Sequence, residues 1–515
     1  MMSLDPLREL QSEIEALLGR LRHPVLVENQ VELMDLSTAH WRLSIEFGKL
    51  IFSAWNSGRS FSRRVEELAY RDRERFGIFV RKPGGRETTT LEFRELRAPA
   101  VVGRGAGRTN FRQQLTAMLE REYRGWKFER VSNRSDREHS FSVWYTRGMA
   151  TQGRSAWAFL GLSEEEGTAA ADRVLAFGLI WLDWLRSQSD RVAITHLKLF
   201  LPPSAVSVIA HRAAYLNPRA LNLEIYEWRA GEASATPVEL KDYGNVETRL
   251  AARRQAELLK ENHTSLLHEM LGDLSAGIDI VPDSAGTFSS LRIAGLEVAR
   301  IEGQLAPHTF FGLEGSIRRL EESCQDEFRD FLSEVRRIRR AGSPDPQHEY
   351  YRLQSERWLE SLLFQDITRL DPTLSPTYVY PQVPAFSGTD RGVIDLLTVT
   401  RRGRLAVVEL KVHEEINLPL QGLDYWLRVN WFQKRNQFQE YGYFPDCELS
   451  AAPPLLYLVS PAFRFHSTTE KLLGYFDRNI EVILIGINDT WRKEVRILFR
   501  HQIPGSASSS GLPAS

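Results

Sequence analysis

Two hydrophobic periods alternate along this chain. Steps of three and four mark helices, and continuous or alternating apolar runs mark strands. Between residues 313 and 340 the apolar positions Ile317, Leu320, Cys324, Phe328, Phe331, Val335 and Ile338 fall on one stripe, which predicts an amphipathic helix. Helices are also predicted at 111–123, 170–186 and 205–215, and a charged one at 245–272. Strands are predicted at 155–162, 192–201, 221–228, 455–460 and 480–487, with a β-rich stretch near 278–301. Residues 78–80 and 88–93 flank a Gly-bearing turn at 82–86 and predict a hairpin. The run Gly103 to Arg108 lacks the Gly-Lys-Ser/Thr ending of a phosphate loop and predicts a flexible linker.

This order predicts a mixed α/β, multidomain protein. The segments expected are an N-terminal α/β unit at 1–100, an α/β domain at 110–230, a helical linker with a β-rich insert at 245–340, a further α/β domain at 347–500 and a disordered tail at 504–515. A length of 515 residues agrees, because single cores stop growing well short of it.

Composition narrows the functional classes. With 66 Lys+Arg against 67 Asp+Glu the formal charge is -1, so nucleic acid would have to be held by local patches rather than by a basic body. One such patch is Arg336, Arg337, Arg339 and Arg340, which reads either as a solvated helix end or as a phosphate contact. Two cysteines exclude a disulfide framework and a Cys-based zinc module. His263 and His268 do not have the spacing of a helical zinc site. The N-terminal stretch lacks the apolar region of a signal peptide, and the most apolar run, 174–185, is too short for a bilayer and contains Asp183. The expectation is a cytoplasmic protein with no membrane partner.

The chemistry-bearing segment is Val393-Ile-Asp395-Leu-Leu-Thr-Val-Thr400, then Arg401-Arg-Gly-Arg404, then Leu405-Ala-Val-Val-Glu409-Leu-Lys411. Two β-rich runs around a tight turn predict a hairpin, and a period of two puts Glu409 and Lys411 on one face. Charges that interrupt buried runs are costly unless paired or metal-bound. Carboxylates suit a hard divalent cation, which keeps waters and phosphate oxygens in its shell. A Glu–Lys salt bridge at a strand end is the plain alternative.

This pattern resembles the PD-(D/E)xK nuclease superfamily, the restriction-endonuclease-like fold, and within it the RecB-like and mismatch-endonuclease-like branches. The resemblance covers residues 347–500. It implies a mixed sheet flanked by helices, with Asp395 and Glu409 as ligands of Mg2+ (Mn2+ as a substitute) and Lys411 acting on the attacking water. The position before the aspartate, a proline in the family, is Ile394. The family's helix before the hairpin donates a glutamate. Glu356, on a stripe with Leu359 and Leu363, matches it, and Glu360 is the alternative. Gln421 and Tyr425 resemble the Q-x-x-x-Y helix of RecB-like nucleases, and Arg428 follows beside Trp431, Lys434 and Arg435 as a DNA-binding or supporting residue. The implied function is a Mg-dependent deoxyribonuclease of the endonuclease kind whose N-terminal regions recognise substrate or partner. RNA in place of DNA stays open, as does the alternative of a DNA-binding or assembly protein that no longer cuts. Oligomeric state is not legible. Residues 110–230 repeat the element order of the nuclease-like region, with Leu197 to Ala205 paralleling Leu455 to Phe463 but with no Glu-x-Lys, which suggests a degenerate copy used for binding.

Overall fold

The computed structural model describes residues 4–503 except 22–23, 29–30, 37–39, 47–48, 56–59, 73–74, 82–87, 96–100, 137–138, 189–192, 241–249, 284–285, 304–305, 314–316 and 388–389. The turn expected at 82–86 and the tail at 504–515 lie outside these residues. The architecture is mixed α/β and multidomain, built on sheets of seven, six, five and six strands. The chain divides into two units that it enters alternately. One holds 1–100, 251–365 and 492–494, and the other holds 101–250, 366–491 and 495–515. The successive segments expected from the sequence are therefore replaced by interleaved ones, because strand pairing over long range, not order along the chain, decides what packs together.

The first unit contains a seven-stranded antiparallel sheet from residues 24–95, covered by the helix Leu4–Leu18 through Leu7, Ile14, Leu17 and Leu18. The stretch 245–340 is expected to be a helical linker with a β-rich insert, and its residues from 253 on build a body with its own core. The helices Arg253–Leu271 and Gln325–Ile338 bury Leu267, Leu271, Phe328, Leu332 and Val335 against a five-stranded antiparallel sheet. The helix expected across 313–340 begins only at Gln325, since His308–Phe311 and Arg318–Arg319 pair as strands. Of the arginines at its end, Arg339 is buried, Arg336 is half-buried, and Arg337 and Arg340 are exposed. Arg339 is buried and donates to the carbonyls of Ala294, Tyr350, Leu353 and Gln354, and Arg336 donates to those of Leu274 and Ala276. Arg337 pairs with Glu334. The bonds of Arg339 and Arg336 satisfy backbone acceptors, while exposed Arg337 and Arg340 sit as a solvated helix end would leave them.

The second unit carries two six-stranded sheets. The first is formed by β1 (Lys127–Ser132), β2 (Tyr145–Gln152), β3 (Ser155–Leu162), β4 (Ala193–Leu201), β5 (Asn222–Glu227) and β6 (Thr236–Pro237), in sequence order. Helix α1 (Val101–Glu122) precedes it, α2 (Thr168–Ser187) crosses over from β3 to β4, and α3 (Pro203–Ala213) crosses from β4 to β5. The glycine run expected to be a linker is the first part of α1. Its helix is tied down where Arg108 forms a two-point bond to Glu166 at 2.6 and 2.7 Å. The second sheet is formed by β7 (Leu374–Ser387), β8 (Asp390–Thr400), β9 (Leu405–Leu410), β10 (Leu455–Pro461), β11 (Glu481–Ile487) and β12 (Ile497–Ile503), again in sequence order. Helix α4 (Leu418–Gln433) links β9 to β10, and α5 (Thr469–Leu473) links β10 to β11. The helix-covered faces of both sheets share one apolar core, from Leu160, Leu199 and Ile225 to Leu397, Val407, Leu458 and Leu484.

Between the sheets sits a buried polar link. Arg212 of α3, 1% exposed, takes both carboxylate oxygens of Asp424 in α4 at 2.6 and 2.9 Å and also bonds Asp172 of α2. Burial alone would lower its pKa, but Asp424 and Asp172 outweigh that and hold the guanidinium above its usual range.

Candidate active site

The hairpin β8–β9 is fixed by its turn. The Thr400 N–H bonds to the Arg404 carbonyl at 2.8 Å, and Gly403 has a φ of 77°, where any Cβ would strike the Glu448 carbonyl oxygen. Arg404 is anchored to Glu481 at 2.6 Å. The ladder pairs Leu396 with Val408 and Leu397 with Val407. Continued by one step it sets Asp395 opposite Glu409, with Lys411 two residues further on the same face. That face is apolar along its length, with Leu397, Val399, Leu405 and Val407 in the core beneath α4. It turns polar only at this end.

Burial makes the polarity consequential. Glu409 is 1% exposed and accepts from the Lys411 ammonium at 3.0 Å, and Lys411 also donates to the Leu410 carbonyl at 3.2 Å. The Lys411 side chain keeps 15% of its surface in solvent, so the cluster opens on that side. Asp395 accepts from the Leu410 N–H at 2.9 Å, which clamps its carboxylate across the hairpin. Helix α4 supplies the cover. The Tyr425 phenol is pushed well above its usual pKa by burial, and the charges of Glu409 and Asp395 add to this, against the Gln421 bond and Lys411. Both carboxylates thus lie within electrostatic reach of one hydroxyl. Gln421 donates to that hydroxyl at 3.2 Å, as the spacing of four predicts for one helix face.

The expected residues sort as follows. Asp395, Glu409 and Lys411 come together, with Tyr425 and Gln421 over them. Arg428 lies three residues past Tyr425 on the same stripe, buried, and its Nε has no hydrogen-bond partner among the described residues. Arg435 lies over the Trp431 ring at 3.3 Å, a pairing within its own segment. Glu356 is half-buried on the helix Ser355–Gln365, which belongs to the other unit. Its alternative, Glu360, is buried in that same unit between Arg292 at 3.9 Å and Arg357 at 3.7 Å, so ion pairing explains it. Among the described residues no group of three or more His, Cys, Asp or Glu side chains is arranged to hold a metal ion. The carboxylates of Asp395 and Glu409 remain. That donor set fits a magnesium-like cation of the kind that takes one or two carboxylates and completes its shell with water and phosphate oxygens.

Two neighbours escaped the sequence reading. Ser460 is the penultimate residue of the apolar strand β10. Leu410 pairs with Val459, whose carbonyl accepts from the Lys411 N–H at 3.0 Å, so Ser460 is the next residue beside Lys411. Its hydroxyl is fully buried with no hydrogen-bond partner among the described residues. A lone serine closing an apolar run was the available signal. Gln382, opposite Asp395 along the β7–β8 ladder, has a φ of 55°, a strained non-glycine conformation of the kind that collects beside functional groups. Nothing in its residue type announces that.

No family model matches the chain, and no curated protein matches it. Among the described residues no helix is long and apolar enough to cross a membrane.

Proposed function

We propose that this protein is a metal-dependent nuclease of the PD-(D/E)xK type that hydrolyses DNA phosphodiester bonds. The observation that carries the reading is the set of buried Glu409 with half-buried Asp395 and Lys411 at the polar end of an otherwise apolar, helix-covered sheet face. Asp395 and Glu409 would hold a Mg2+ or Mn2+ ion, which supplies a more acidic water and offsets charge on the phosphate. Asp395 is kept in place by the Leu410 N–H, and Glu409 by Lys411. Lys411, partly exposed, orients water and the scissile phosphate by donating hydrogen bonds. Tyr425 stays protonated through the working pH range and, braced by Gln421, closes the site from above. Two unbridged cysteines support a reducing, cytoplasmic setting.

Purified protein incubated with linear, circular and single-stranded DNA, and with RNA, over a Mg2+ and Mn2+ titration tests the reading. Cleavage should require the ion and fall roughly 10²–10⁴-fold in Glu409→Gln and in Lys411→Gln, with circular dichroism unchanged. Equal cleavage by all three proteins would reject it, and cleavage of RNA alone would reassign the substrate. One observation favours a second reading. Lys411 already closes onto Glu409, as an inert salt bridge would. Ion-independent DNA binding without cleavage would select a non-cutting assembly protein.

A further inference from the structure

We infer that residues 127–237 and 374–503 are two copies of one fold joined as an internal pair, and that only the second keeps a catalytic centre, so that each productive encounter with duplex DNA breaks a single strand. The last part rests on the nuclease reading above.

The two sheets have the same topology throughout. β1–β2–β3 and β7–β8–β9 are antiparallel, β3–β4–β5 and β9–β10–β11 are parallel, and β6 and β12 close each sheet antiparallel. A helix crosses over at the same two places in each. The crossover helices carry matching glycines. A Cβ on Gly178 would meet Leu199 and Leu197 of β4, and one on Gly422 would meet Leu458 and Leu456 of β10. The turns after α3 and α5 also match. Asn217 accepts from the Arg219 N–H and Asp477 from the Asn479 N–H. These turns meet each other reciprocally. The Asn217 N–H bonds to the Tyr475 carbonyl at 2.8 Å, and the Asp477 N–H bonds to the Tyr215 carbonyl at 2.8 Å. Such an exchange of like for like is what a two-fold contact produces.

The ladders then locate the counterpart of the site. Leu199 and Leu458 are equivalent by these glycine contacts, one residue away from the parallel of Leu197–Ala205 with Leu455–Phe463 that the sequence suggests, and they pair with Leu160 and Glu409. Leu160 pairs with Arg147, as Glu409 faces Asp395. Hence Asp395, Glu409 and Lys411 correspond to Arg147, Leu160 and Leu162. The glycine match sets Trp181 in the place of Tyr425, and Arg147 does lie over the Trp181 ring at 5.5 Å. Two buried leucines and a cation offer no carboxylate and repel a divalent ion. One centre performs one hydrolysis. The water oxygen joins phosphorus, one P–O ester bond breaks, and the leaving oxygen takes up a proton, so one strand parts.

Supercoiled plasmid with Mg2+ tests this on the intact chain. Open circles should accumulate before any linear form, and on end-labelled duplexes each event should cut one strand. In parallel, Mn2+ alone is titrated and followed by its electron paramagnetic resonance signal. Binding should vanish in the double variant Asp395→Asn, Glu409→Gln and persist in Leu162→Met. Direct conversion to linear plasmid, or Mn2+ binding that survives the double variant, overturns the single-centre inference and leaves the nuclease reading standing. No cleavage and no Mn2+ binding by the wild type removes both.

Discussion

Single residues in this protein are read best through what their neighbours cost them. Asp371 is buried, which by itself raises its pKa. The Thr373 backbone and hydroxyl, the Tyr457 hydroxyl and Arg500 outweigh that and hold the carboxyl below its usual range. A depressed carboxyl adds stability above the usual aspartate value of about 3.9, and loses it as pH falls through the folded value. Urea unfolding from pH 7 down to pH 3 should show the wild type weakening in the acid part of that range. Asp371→Asn should start about 1–3 kcal/mol less stable at pH 7 and show a shallower acid limb. Parallel curves for the two proteins would mean that the network contributes nothing through its charge. Asp371 was unremarkable in the sequence. The Asp395, Glu409 and Lys411 set was legible because charges stood inside apolar runs. Glu356 was placed on a helical stripe, and stripe position alone could not say which packed unit the helix would join.

At the scale of elements, strand and helix existence came through and partnership did not. The strands at 155–162, 455–460 and 480–487 and the helices at 170–186 and 205–215 are present close to their expected bounds, because each is a dense apolar run closed by a turn signal. The glycine-rich start of α1 is helical despite its composition because propensity is a weak prior, about 1 kcal/mol per glycine, which tertiary contacts can override. The same residue type matters where helices press on strands. Gly422→Ala would drive a methyl to 2.6 Å from a Leu458 methyl, whereas Gly178→Ala meets Leu199 at 3.1 Å. Gly422→Ala should cost about 1–3 kcal/mol, and Gly178→Ala distinctly less, by thermal unfolding. The reverse order would show that α4 yields more easily than α2. Arg212→Met leaves the largely buried Asp424 without its cation at the helix junction and should cost about 3–5 kcal/mol, with part recovered when Asp424 is also made apolar. A double-mutant cycle in urea measures that recovery, and simple additivity would contradict the link.

For the whole molecule, the shared core of the second unit is the governing fact. Residues 347–500, the piece that the sequence marks as a domain, carry only half of the apolar face that Leu160, Leu199, Leu397 and Leu458 build together. Expressed alone, this fragment should be poorly soluble and bind hydrophobic dyes. Co-expression with 101–250 should restore a cooperative unfolding transition. A soluble, cooperatively folding 347–500 would show that the two sheets are separable. No local pattern could have announced this, since pairing across the 251–365 segment leaves no periodic trace in the residues themselves.

That alternation has a consequence for how the protein is made. On the ribosome, residues 101–250 emerge with an apolar face whose partner sheet has not yet been synthesised, and the intervening 251–365 segment takes on the order of ten seconds to translate. Until β8 and β9 arrive the nascent chain lacks Asp395, Glu409 and Lys411 altogether, and a message that ends early yields a product whose apolar face stays uncovered.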